Sequence, residues 1–232
     1  MPRMALPLPS APRLDRMSAA ELVAGTLRGW ISQGQLPPGA RLSEGELCEA
    51  LDVSRNTIRE AFRLLEHEHL VVHRLNHGVF IRTLTAADVT DLYLVREMTE
   101  VTGVRAAGTA DDLRRAWVGE AVASGNHAAA AGDWAAVATA DLKFHEALAA
   151  LAGSPRLDEI MERVLAELRL AFAVAEDPAA FHRPYLHRNA ELAQLLQAGQ
   201  LGRLEDELRA YLAQARDQVL RAIRDAGGMG AE

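Results

Sequence analysis

SEGELCEALDVSRNTIREAFRLLEHEHLVVHRLNHGVFIRT, residues 43–83, decides the fold of the first third of this 232-residue chain. Ser43 and Glu46 have capping-box spacing and open a short helix, SEGELCEAL. Asp52-Val53-Ser54 makes a three-residue turn into a second helix, RNTIREAFRLLEHEH. Ile58, Ala61, Phe62 and Leu65 share one face of it, and Arg55, Asn56, Arg59 and Arg63 lie mostly elsewhere. LVVHRL and VFIRT are short β-branched runs around Asn76-His77-Gly78, the signal of a hairpin. Two short helices across a tight turn form a helix-turn-helix, whose second helix can enter the major groove by its N-terminal residues. The residue types suit that task. Arg55 and Arg59 can donate paired bonds to guanine, and Asn56 can pair with adenine. The Ser54 and Thr57 hydroxyls, with the helix's first amides, can hold phosphate. His77 and Gly78 at the hairpin tip would form a wing, glycine permitting close approach.

Working outward, Ser18 and Glu21 repeat the capping-box spacing and open a helix holding Leu22, Leu27, Trp30 and Ile31, which stops at Gly34. Pro37, Pro38 and Gly39 prevent its continuation. The opening MPRMALPLPSAPRLDR is Pro-rich and lacks a signal-peptide core with a cleavage site, so residues 1–17 read as a flexible arm. From Thr85 the pattern is helical to the end, with helices expected near 85–107, 110–131, 133–152, 154–176, 184–198 and 201–226. Gly132, Gly153-Ser154-Pro155, Asp177-Pro178 and Gly199 break them. The expected fold is mainly α. A winged helix-turn-helix with a small hairpin spans residues 18–83, an antiparallel all-α bundle of about six helices spans 84–226, and 227–232 is a tail.

Net charge is -7, which argues against nucleic acid until its distribution is read. Residues 1–83 carry 10 Arg against 9 acidic residues, and four of the eight histidines, so the head is locally basic beside an acidic body. One cysteine, Cys48, precludes an intrachain disulfide and suits a reducing cytoplasm. No stretch of roughly 18 apolar residues occurs, so no membrane span is expected.

WISQGQLPPGARLSEGELCEALDVSRNTIREAFRLLEHEHLV resembles the GntR-family winged helix-turn-helix, most specifically in PGARLSE and LDVSRNTIREAFRLLE. The resemblance implies that Arg55, Thr57, Arg59 and Gly78 meet DNA. It also implies an arginine at the start of the helix-turn-helix's first helix, where this chain has Gly45, and a glycine ending its second helix, where this chain has His69. The rest resembles the helical FCD-type domain of the FadR subfamily, anchored by YLVREMTE and by AGDWAAVATADLKFHEALAALAGSPRL. Many such domains hold one metal ion on an Asp, a His one turn later and two further His. Asp141 and His145 match the first two positions. The third and fourth fall on Asn189 and Tyr211, and His187 is two positions out of register, about 200° away on a helix. The resemblance thus implies a candidate site for one divalent transition metal (Zn, Ni or Mn) on Asp141 and His145. The alternative is that these two are a buried hydrogen-bonded pair ordering a cavity. Arg96 either grips an effector carboxylate or pairs with Glu100, its i+4 neighbour. Trp117, Trp134 and Phe172 read as core, and His182 sits in the PAAFHRPY loop.

These features predict a cytoplasmic homodimer that binds near-palindromic operator DNA and releases it on binding a small-molecule effector. Arg96, Asp141, His145, Asn189 and Tyr211 are the candidate effector-binding residues. Two competitors remain. A metal-dependent hydrolase would use Asp141 and His145, but it needs about three protein ligands, and no catalytic motif such as G-x-S-x-G or H-E-x-x-H occurs. An architectural DNA-binding protein would need less chain than the long helical part supplies.

Overall fold

A computed structural model describes residues 17–32, 35–173 and 177–228. The arm expected over residues 1–17, apart from Met17, the helix stop at Gly34 and the last four residues of the tail lie outside the described residues. The head comprises α1 (Ala19–Ser32), β1 (Arg41–Leu42), α2 (Glu44–Leu51), α3 (Arg55–His67), β2 (Val71–Arg74) and β3 (Gly78–Ile81). The bundle comprises α4 (Ala86–Ala106), a 3-10 turn at Ala107–Thr109, α5 (Asp112–Ala130), α6 (Trp134–Ala150), α7 (Pro155–Phe172), α8 (Pro178–Gln197) and α9 (Leu201–Gly228).

Helix starts follow the capping chemistry. Glu21 N–H donates to Ser18 Oγ, and Ser18 N–H donates to the Glu21 carboxylate, a reciprocal box. Ser43 accepts from Glu46 N–H, and Thr85 and Asp88 form a full box at α4. Asp111 and Asp133 cap α5 and α6 by accepting amide bonds from Arg114 and Ala136. In the head, α1 and α3 bury Leu27, Ile31, Ile58, Phe62 and Leu65 against Ile81 of the sheet. The sheet has order β1-β3-β2, all antiparallel. The sequence showed its hairpin but not β1, whose two residues are too few to display alternation.

Two further expectations change. The eighth helix begins at Pro178, six residues before the sequence placed it, and Pro184 lies inside it. Asp177-Pro178, expected as a break between helices, also starts this one, because Asp177 accepts from Ala180 N–H and caps it. Trp117 is 41% exposed rather than core, and Trp134 is half-buried with Arg183 stacked on its ring. No helix among the described residues is long and apolar enough to cross a membrane.

Head and bundle meet at Arg82. Its guanidinium donates to Asp88 at 2.6 Å, in the first turn of α4, and to Glu167 of α7 at 2.7 Å. Burial pushes the Glu167 carboxyl up, and Arg82 opposes the shift. Within the bundle, α4 crosses α6 at Gly103, where backbone approaches backbone.

Candidate functional site

The first candidate surface is the exposed side of α3 and the hairpin. Ser54, Arg55, Asn56 and Arg59 are exposed and Thr57 is half-buried, while the opposite face of α3 is core. Ser54 Oγ accepts from Thr57 N–H at 3.1 Å and shares a hydrogen bond with Thr57 Oγ1. These hydroxyls therefore define the helix start, and Arg55 and Asn56 lead the surface beyond it. Arg59 Nε lies 3.1 Å from both oxygens of Glu44, so α2 holds the Arg59 guanidinium on the exposed side of α3. Glu44 immediately precedes Gly45, which adds no side chain there.

The hairpin turns at Asn76 (φ 61°), with His77 exposed and Gly78 at φ 101°. Gly78 suits this turn because its backbone is left-handed; a Cβ there would lie at ordinary contact distance from the Arg41 guanidinium. Arg41, on the strand that the sequence did not reveal, thus joins Arg74 at the wing, where Arg74 stacks on Phe80. His69 takes the left-handed turn after α3 at φ 56°. The chain path that glycine would follow freely is kept with a histidine in its place.

The second candidate site is inside the bundle. α4 brings Arg96 and Glu100, α6 brings Asp141 and His145, α8 brings His182 and Asn189, and α9 brings Tyr211, all buried. The i, i+4 spacing puts each of the first two pairs on one helix face. Arg96 Nε donates to Glu100 Oε1 at 3.0 Å, and Glu100 Oε2 lies 2.6 Å from His145 Nδ1. Asp141 Oδ1 accepts from Asn189 Nδ2 at 2.8 Å and from Tyr211 Oη at 3.0 Å. His145 Nε2 stands 4.0 Å from the same oxygen, outside hydrogen-bond range. All five candidate effector residues therefore converge. Arg96 and Glu100 form the ion pair that was one of the two readings.

Burial alone would lower the Arg96 pKa, but Glu100 and the groups around it, Tyr93, Tyr211 and Asp141, together more than offset this and hold the guanidinium charged. Burial and Asp141 push the Tyr211 phenol well above its ordinary range, so it keeps its proton and donates. Burial lowers the His182 pKa, and Asp141 acts the other way. His182 was assigned to a loop. It belongs to α8 and lines the cavity with Tyr93, Phe172, Phe181 and Tyr185. The signal was available, because positions 182, 185, 189 and 196 form one helical face running through Pro184. Glu100 was read as a partner of Arg96 alone, and its second contact, to His145, depends on the packing of α4 on α6. Larger hollows exist, such as one of ≈ 580 Å³ between α4 and α9, but that is an open groove bringing no buried polar groups together.

For a metal ion the donor set is incomplete. Asp141 and His145 supply an anion and an imidazole. The third and fourth positions carry a neutral amide and a protonated phenol, both donating to Asp141. His187 points away and pairs with Glu191, its side chain 82% exposed. Among the described residues no three His, Cys, Asp or Glu side chains gather to hold an ion. The set falls short of the three or more ligands that a tightly held transition metal takes.

Residues 19–81 match the family described as "Bacterial regulatory proteins, gntR family", and residues 91–214 match the FCD domain, more than half of the chain. The chain belongs to the GntR family. It is a GntR-family transcription regulator whose C-terminal part is an FCD domain. A solved structure of a GntR regulator from Rhodococcus sp. RHA1 is 46% identical, with TM-score 0.84 over 89% of this chain and 99% of that one. The probable D-xylose utilization operon transcriptional repressor of Paenarthrobacter nicotinovorans is 30% identical over 74% of this chain and 79% of its own. YdhC of Bacillus subtilis, an HTH-type transcriptional regulator, is 41% identical over 70 residues, and the match spans 30% of this GntR chain and 31% of that protein.

Proposed function

We propose that this chain is an effector-released repressor. Residues 18–83 would hold one half-site of a near-palindromic operator. Residues 84–226 would bind a small carboxylate in the buried cavity and pair with a second copy. The observation that carries this reading is α4. One helix begins at the Arg82 junction with the head and presents Tyr93 and Arg96 to the cavity. An effector that prefers a different tilt of α4 weakens operator binding by the same free energy. The reading is of binding without turnover, in the cytoplasm. For a hydrolase, Asp141 and His145 are one ligand short of a working metal site.

Arg55, Asn56, Thr57 and Arg59 would read bases or phosphate from α3, and His77 and Gly78 from the wing, with Arg41 and Arg74 adding phosphate contacts. In a gel-shift titration against its own promoter DNA, Arg55→Ala should cost about 1–3 kcal/mol and relax preference at one base pair per half-site. Unchanged affinity and unchanged base preference would remove α3 as the reading helix.

For the homodimer, Leu94 and Met98 are 56% and 64% exposed one turn apart on α4. A two-fold interface uses the same patch on both copies. Leu94→Glu with Met98→Glu should give a monomer by sedimentation velocity and lose roughly 100-fold in operator affinity, because the second head no longer binds intramolecularly. A persistent dimer would move the interface to another exposed pair, Leu113 and Trp117 of α5.

One observation favours a second reading of the cavity, in which it holds a zinc, nickel or manganese ion. His145 turns Nδ1 to Glu100 and leaves Nε2 unpartnered, as a metal-ligating histidine does.

A further inference from the structure

Among the described residues, four buried groups of the cavity keep a polar atom without a partner: Arg96, His145, Asn189 and His182, the last at Nδ1. Arg96 uses Nε on Glu100 and leaves its terminal nitrogen Nη2 without a partner. The Glu100 carboxylate only accepts, so His145 Nδ1 carries a proton, and Nε2 is left without a partner. Asn189 donates its amide N–H to Asp141 and leaves Oδ1 unpartnered. Arg96, His145 and Asn189 are each more than nine-tenths buried. Folded proteins seldom leave such groups unmatched. Here they add up to one cationic donor, one amide acceptor and two imidazole nitrogens.

Asp141, by contrast, is already answered. Asn189 and Tyr211 both donate to one of its oxygens, and a guanidinium that stays charged lines the same cavity. Two neutral donors and a fixed cation occupy the electrostatic place an added ion would take.

We propose that the cavity takes a small carboxylic acid bearing a hydroxyl or amine beside its carboxylate, held directly by Arg96, His145 and Asn189 with no metal ion between. The carboxylate accepts from Arg96, and the neighbouring O–H or N–H donates to His145 Nε2 or Asn189 Oδ1. This rests on the cavity being the effector site. Size is also constrained. Two hollows of ≈ 10 Å³ each, one lined by Arg96 and His145 and the other by Asn189, both border Asp141 and His182. Each has room for about one water. A ligand that joins the two passes between His182 and Asp141, which line both. Pro184 lacks the amide that would bond Ala180, so the turn carrying His182 is tied to the rest of α8 by one bond fewer.

The test uses full-length protein stripped with EDTA, its metal content checked by mass spectrometry, and thermal-shift and calorimetric titrations with glycolate, acetate, glycine and their homologues up to six carbons. Members carrying the hydroxyl or amine should stabilise the protein equally with and without EDTA and bind at least about tenfold tighter than the plain acids. Asn189→Leu should bring that ratio towards one while plain-acid binding persists. Arg96→Lys should weaken the whole set, and Asn189→Leu keeps the test open if Arg96→Lys does not fold. Binding that appears only with stoichiometric zinc, nickel or manganese would overturn metal independence while keeping the effector site. No response to any acid or metal, with operator binding intact, would overturn the effector site itself.

Discussion

Gly103→Ala should destabilise the protein by about 2–4 kcal/mol, measured by urea unfolding, although alanine is the better helix former by about 1 kcal/mol. A Cβ at position 103 would lie 2.9 Å from the Ala149 carbonyl oxygen and closer still to that of Leu148. Both obstacles are backbone, held within or beside the last turn of α6, so no side-chain rotation relieves them. α4 would have to lift away from α6, and Val104 and Leu148, both fully buried, would lose contact with their surroundings. An alanine variant as stable as the parent would mean that the two helices are not held this close in solution.

The second large effect is expected at Glu100. Glu100→Ala should cost about 3–5 kcal/mol, because it leaves the Arg96 guanidinium buried without its counter-charge and His145 Nδ1 without an acceptor. The decisive comparison is the double variant Arg96→Met with Glu100→Leu. Removing both charges together should restore most of the loss, since a buried ion pair contributes little beyond an apolar pair of similar volume. The double variant should nonetheless fail to respond to effector. If Glu100→Ala costs less than about 1 kcal/mol, as an exposed pair would, water reaches Arg96 and the cavity is not closed.

Legibility in the sequence tracked the range of the forces involved. The helix-turn-helix was readable because turn, caps and apolar face are all set within a few residues. Ser43, Ser54 and the face of Ile58, Ala61, Phe62 and Leu65 behave as their spacing implies. β1 was not readable, since Arg41 and Leu42 become a strand only by pairing with Phe80 and Val79. In the cavity, Asp141 with His145 and Arg96 with Glu100 were visible as helix-face pairs, and Asn189 and Tyr211, reached by register, both donate to Asp141. The Glu100–His145 contact joins residues 45 apart and depends on how α4 packs on α6. Local grammar misled in two places. Pro184 looked like a helix start because proline favours that position, and Trp117 looked like core because most tryptophans are largely buried.

The Arg82 junction has a consequence for building hybrid regulators. About 12 Å of α4 separates Asp88 from Arg96, at 1.5 Å per residue, so tilting the helix by ten degrees about the cavity moves its head end by roughly 2 Å. Arg82 passes that displacement on because it grips both the moving helix and α7. A foreign head spliced after residue 85 would be anchored by whatever side chain it brought to position 82, and sensing and reading would become two devices sharing a polypeptide. Spliced before residue 82, the graft keeps the coupling. The unit of exchange in this architecture is therefore a head cut short of its last strand's exit, and the joint belongs to the sensor.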